Sequence, residues 1–208
     1  MKQLYQISLA LILAFLAVNA TAQDKTSIKY ALDSTTVAIV PLINASGEKD
    51  SNFKARQIES GLNYLTKAFT DRGFKLTEQT AIAKAIGDLK IDLNDEENHN
   101  KATLYKLGKE VNADLIVFAV ITSIEQHMEN KVFVVTKEGR ATVKMWLLDV
   151  KNETPLLSAV TKQGKSGGPG FADFKKGSDE IIHAVANGER DLLKEFFKPY
   201  PLLKKEKK

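Results

Sequence analysis

The sequence predicts an α/β (α+β) sandwich: a mixed central sheet of about five strands, with helices packed on it and the late strands antiparallel. Three observations predict this. Leu115 to Ile121 is seven apolar residues in a row, which demands a central strand covered on both faces. Before it, short apolar runs alternate with stretches of helical periodicity. After it, period-two alternation with short links takes over, as in sequential antiparallel strands.

The chain opens MKQLYQISLALILAFLAVNATAQ. Lys2 gives a positive start, Ile7 to Val18 is apolar except for Ser8, and Ala20-Thr21-Ala22 has the small-x-small pattern of a cleavage site. That is a secretory signal peptide over 1–22. As a helix, Ile7 to Val18 would reach about 18 Å, short of a roughly 30 Å hydrocarbon core. No later segment reaches transmembrane length, so no span is expected after cleavage. Cleavage removes Lys2 and lowers the formal charge from +4 to +3. With 26 acidic residues spread among the basic ones, this charge makes no case for nucleic acid. Cysteine is absent, which excludes disulfides, a thiol nucleophile, thiolate metal sites and a cysteine-linked lipid anchor. The expected location is the periplasm or beyond.

Residues 23–34 are polar and read as a flexible lead-in to one domain over 35–198. Val37 to Val40 is a short strand closed by Pro41, with apolar residues for both faces. The loop Asn44 to Asn52 follows. A helix over Phe53 to Arg72 is predicted by Ile58, Leu62, Leu65 and Phe69 on one face, with Gly73 as its C-terminal cap. Phe74 to Leu76 reads as a second strand, and Thr77 as the cap of a short helix carrying Ile82 and Ile86. Residues 88–100 form an acidic connector, and Leu104, Leu107 and Val111 mark a third helix before the central strand.

Beyond it, Val132 to Val135 reads as strand and Lys137 to Arg140 as turn. In ATVKMWLLDV, Ala141, Val143, Met145 and Leu147 point one way; Thr142, Lys144 and Trp146 point the other. A strand over Leu156 to Thr161 leads to GKSGGPG, read as a flexible loop. A long amphipathic helix follows with Ile181, Ile182, Val185, Leu192, Leu193 and Phe196, ended by Pro199 and Pro201. Residues 199–208 are a basic tail, a weak signal for anionic lipid or another polyanion.

No pattern assigns a catalytic, cofactor-binding or metal-ligating residue. The loop after the first strand has one glycine, Gly47, and neither dinucleotide nor P-loop spacing occurs. Lys49 and Lys54 could draw an anion but read as solubilising. Ser166 to Gly170 reads as a chain-reversing turn, since Pro169 removes an amide donor that an anion would need. His99, His127 and His183 lack metal-site spacing, and Asp95-Glu96-Glu97 lacks the alternation of a calcium loop. A site assembled only in three dimensions would draw on Glu78, Asp114 or His127 near strand ends.

Three blocks in order carry a resemblance: VAIVPLINASG (Val37–Gly47), LGKEVNADLIVFAVIT (Leu107–Thr122) and VKMWLLDVKNETPLLS (Val143–Ser158). Together they resemble the curli-secretion-channel (CsgG)/TolB N-terminal-like periplasmic domain superfamily across nearly all of 35–197. The resemblance implies a non-enzymatic, cofactor-free scaffold that binds an envelope protein. It would use the loop residues Asn44, Ser46, Gly47 and Lys49 as the partner contact. Homo-oligomerisation stays open. The alternatives are an oligomeric outer-membrane secretion-channel subunit and an exported small-ligand binder or hydrolase. Channel-forming members carry extra membrane hairpins, for which the short links between the late strands leave little room.

Overall fold

Seven buried apolar residues, Leu115 to Ile121, form the middle of the sheet, and every other element is placed by its relation to them. The computed structural model describes residues 29–131, 134–170 and 179–203. The expected signal peptide, Val132-Phe133 and the end of the basic tail lie outside them. The chain divides into two units, Met1–Tyr30 and Ala31–Lys208, and the second is described here.

Its order is β1 (Thr36–Ile39), β2 (Ile43–Asn44), α1 (Ser51–Thr70), β3 (Lys75–Leu76), α2 (Gln79–Asp88), a 3-10 turn (Glu96–Asn98), α3 (Lys101–Glu110), β4 (Leu115–Lys131), β5 (Val134–Asp149), β6 (Thr154–Gly170) and α4 (Asp179–Phe197). The sheet runs β3-β1-β4-β5-β6, with β2 prolonging β1 along β4. β1 is parallel to β3 and β4; β4, β5 and β6 are antiparallel. This is the expected mixed sheet with helices packed on it.

Pairing register sorts the side chains into two cores. Ala38, Ile116 and Leu148 stand in one row and Phe118 beside Trp146 in the next, under Ile82 of α2 and Leu104 and Leu107 of α3. Ile39, Val117 and Leu147 form a row on the other face, as do Ala119 with Met145 and Ile121 with Val143. That face belongs to α1 and α4. Phe69, Phe74, Phe196, Phe197 and Tyr200 close its end in a chain of ring contacts, with centroids 4.9 Å apart for Phe69 and Phe197. Each fully buried large side chain is worth about 1.5–3 kcal/mol.

Local chemistry sets the helix ends. Asp50 caps α1 by accepting from the amides of Asn52 and Phe53. Gly73, at φ +91°, turns the chain out as expected, and the Phe74 amide bonds back to the Phe69 carbonyl. Asn100 caps α3. The acidic connector serves itself: Asp95 caps the 3-10 turn and Asp92 accepts from the Asn94 amide. Thr77 does not cap α2. Glu78 holds that position without a side-chain cap bond, and the Thr77 hydroxyl is buried with no partner among the described residues.

The late strands overturn two expectations. Lys137 to Arg140 is no turn; it lies inside β5, with Gly139 opposite Gln126 on one side and Ser166 on the other. GKSGGPG is no loop; Ser166 to Gly170 pairs with β5, as Gly167 does with Glu138 and Pro169 with Thr136. Gly139 and, just before the second stretch, Gly164 lie directly beneath helix α4, which leaves no room for a side chain. A Cβ on Gly139 would stand 2.6 Å from the Ile181 nitrogen, and one on Gly164 would drive into the Ala184 carbonyl and Gly188. Pro169 is tolerated because β6 is an edge strand. The links are short, but the strands are 16 or 17 residues long, so a three-stranded arm runs well past the parallel part of the sheet.

A bulge makes the arm workable. Ile121 pairs with Val143 but Ser123 with Thr142, leaving Thr122 as an extra residue. The extra residue brings Ile124 onto the same face as Ile121; strict alternation would have turned it outward. On the open edge, Pro155 and an interruption opposite Trp146, where Ala159 has φ +56°, blunt β6 against pairing with another sheet.

Gly164→Val should destabilise the protein by about 3 kcal/mol, read by urea unfolding, because the backbone of α4 cannot yield. Gly87→Ala, in open space within α2, should stabilise it by about 0.5–1 kcal/mol.

Candidate functional site

The loop between β2 and α1 is built outward from Asn44, which is buried at the end of its strand. Its side-chain amide donates to the Gln57 carbonyl oxygen on α1. Its own oxygen accepts from the Ser46 amide at 3.1 Å and the Ser46 hydroxyl at 2.6 Å. The Glu48 carboxylate accepts from the Asp50 amide at 2.8 Å, and Asp50 in turn caps α1. Gly47 takes φ +80°, a left-handed turn that L residues resist, and a Cβ there would meet nothing. The loop is therefore knitted to the rigid ends of β2 and α1. With Ile124 of β4, Ser46, Gly47, Glu48 and Lys49 line a depression of about 340 Å³. The structure thus brings the four candidate contact residues together: Asn44 as the buried anchor, the others at the surface.

The residues named for a site assembled at strand ends are not brought together. Glu78 is exposed at the carboxyl end of β3. Asp114 stands at the other end of the sheet, where its Oδ2 accepts from the Thr36 amide at 2.8 Å and its carbonyl from Val150. That is a role in joining β1, β4 and β5. His127 is exposed on the arm. The crevice at the carboxyl end of β1 is occupied by Gln79, whose Nε2 donates to the Ile39 carbonyl at 3.0 Å. His99 packs edge-on against Phe118 with centroids 5.0 Å apart and bonds the Leu93 carbonyl at 2.7 Å, a structural position. Among the described residues no cluster of His, Asp and Glu could hold a metal ion.

A second concavity was not anticipated from sequence. Between α1 and α4 lies a cleft of about 440 Å³, lined by Tyr64, Arg72, Arg190, Lys194, Phe197 and Lys198, with Asp191 among them. The Arg72 guanidinium lies 4.0 Å from the Phe197 ring centroid, and its Nη1 donates to the Ala68 carbonyl at 2.7 Å. The sequence signal was the spacing of Arg190, Lys194 and Lys198, one cation every helical turn on an otherwise core-facing helix.

Glu189 lies nearby, wholly buried, with neither carboxyl oxygen hydrogen-bonded among the described residues. Its Oε1 stands 2.8 Å from where a Cβ on Gly61 would be, so the missing side chain makes room for it. Burial pushes its pKa well above the ordinary 4.5. Burial, and secondarily the proximity of Glu189, also pushes the Tyr64 hydroxyl up to about 12. For both groups burial favours the protonated form.

No protein-family model and no curated protein sequence matches the chain. Several solved structures are similar to it. Lipoprotein GNA1162 from Neisseria meningitidis is 16% identical, with 76% of this chain and 99% of that one covered and a TM-score of 0.43. The hypothetical protein CT253 from Chlamydia trachomatis is 15% identical, covering 78% and 95%, with a TM-score of 0.46. The LpoB C-terminal domain from Escherichia coli is 12% identical, covering 71% and 90%, with a TM-score of 0.41.

Asn44→Ala strands the buried Gln57 oxygen and frees Ser46; it should cost about 1–3 kcal/mol and speed amide exchange at Ser46 and Glu48. Glu189 holds its proton more tightly in the native state than in the unfolded chain. Its contribution is therefore present below pH 4.5 and lost as pH rises. Urea titrations should show Glu189→Gln matching the parent at acid pH and exceeding it in stability at neutral pH and above.

Proposed function

We propose that this chain is a non-enzymatic exported envelope protein, a periplasmic partner-binding module of the CsgG/TolB N-terminal-like kind. Its contact surface is the loop formed by Asn44, Ser46, Gly47 and Lys49. The observation that carries the reading is the preorganisation of that loop. Its exposed face is fixed from below by the Asn44–Gln57 and Asn44–Ser46 bonds before any partner arrives. A surface already ordered spares the entropy of ordering on binding. The open depression over Ile124 offers a small apolar floor with Glu48 and Lys49 at its rim, which suits a protein side chain with a polar neighbour. The three sequence blocks in order, Val37–Gly47, Leu107–Thr122 and Val143–Ser158, support the family reading. The signal sequence over 1–22 supports export, and the partner is accordingly an envelope protein.

The test is site-specific photocrosslinking in the cell envelope. A photoreactive residue at Gly47 or Lys49 should give one reproducible adduct of defined mass, and the same probe at exposed Gly87 on α2 should not. Lys49→Glu should weaken an adduct formed from Gly47 without changing thermal stability. Equal labelling from Gly47 and Gly87, or none from either loop position, overturns the reading.

A further inference from the structure

The end of the sheet opposite that loop gathers an unusual set of groups. The C-terminal ends of α1 and α4 lie there together, joined through Phe69 and Phe197. The cationic cleft opens between them. Arg190 has Asp191 at 3.6 Å and Lys198 has Glu195 at 2.5 Å, both on the exposed surface. The Arg72 Nε is buried without an acceptor among the described residues. Past α4 the chain returns along the end of α1, where the Leu203 amide bonds the Asp71 carbonyl at 2.9 Å. Leu202 and Leu203 are then left 60% and 59% exposed. The sequence continues Lys204-Lys205-Glu206-Lys207-Lys208 from that point. Leu32, just before β1, also reaches this pole, 3.7 Å from where a Cβ on Gly73 would be.

We propose that this pole docks on an anionic bilayer surface, with Leu202 and Leu203 entering the interface and Arg72, Arg190, Lys194 and Lys198 meeting lipid phosphates. Charge alone would suit any polyanion. The leucines decide between them: a soluble polyanion gains nothing from two bare apolar side chains set among cations, whereas the headgroup boundary rewards both. Each cation close to an anionic leaflet is worth about fivefold in partition, and neither the leucines nor the lysines would suffice alone. The proposal does not depend on the partner-binding reading, because it uses the other end of the molecule.

The experiment is cosedimentation of protein purified from the exporting cell's envelope with vesicles. One set is phosphatidylcholine alone; the other contains about one-third phosphatidylglycerol. The expected result is partition at least about tenfold stronger on the anionic vesicles, collapsing at high salt. Lys194→Glu with Lys198→Glu, both exposed, should abolish that preference while leaving the melting temperature unchanged. Leu202→Ser with Leu203→Ser should lower partition several-fold. The N-terminal residues are common to every variant, so the differences report this pole. Equal partition on both vesicle types overturns the proposal. So does loss on charge reversal with no effect of the leucine changes, which would mark a site for a soluble polyanion.

Discussion

The placement of β4 is the constraint on which the rest of the structure depends. Leu115 to Ile121 exposes almost nothing on either face. A strand of that kind needs helices above and below and a paired strand along each edge. β1 and β2 supply a parallel edge and β5 an antiparallel one. The parallel edge requires crossover helices, and the antiparallel edge requires none. The division of the chain into a helix-rich first half and a strand-rich second half follows from that one difference.

The second constraint is the approach of α4 to the arm. Gly139 and Gly164 on the strands and Gly188 on the helix let backbone lie against backbone. This contact turns a long hairpin extension, which alone would be marginal, into part of the same core. It also explains why residues of turn-like composition lie in extended strands. Where α4 meets α1, Gly61 leaves space for the Glu189 carboxyl, and on the same helix α1 Gln57 carries the loop anchor Asn44. The surface that presents the candidate contact loop is thus held by α1, the helix that packs beside α4 on the same face of the sheet.

The two ends of the parallel strands carry different chemistry. At the carboxyl end the loop is ordered by neutral hydrogen bonds around Asn44. At the amino end, cations and exposed leucines surround the chain's return past Gly73. A rigid sheet between them fixes the distance and direction of one relative to the other. The proposed partner loop and the proposed bilayer-docking pole are separated in that way.

By itself the sequence determined the central strand, the alternation of Ala141 to Leu147, the cap at Gly73 and the amphipathic helices. Those signals are local: apolar runs, period and turn chemistry act over a few residues. It also marked Asn44 to Lys49 as the loop to examine, because polar turn residues after an apolar strand are visible without knowing the fold. Only the tertiary structure decided the arm and the cleft. Lys137 to Arg140 and Ser166 to Gly170 have the composition of turns, yet both pair within the arm, and α4 lies directly over the missing side chains of Gly139 and Gly164. Arg72 lies more than a hundred residues from Arg190, and no periodicity links them until α1 and α4 pack together. Nothing in the local pattern around Glu189 marks it as buried, for the same reason. Its burial depends on a glycine in another helix, and a contact between distant positions leaves no trace in either segment's own pattern.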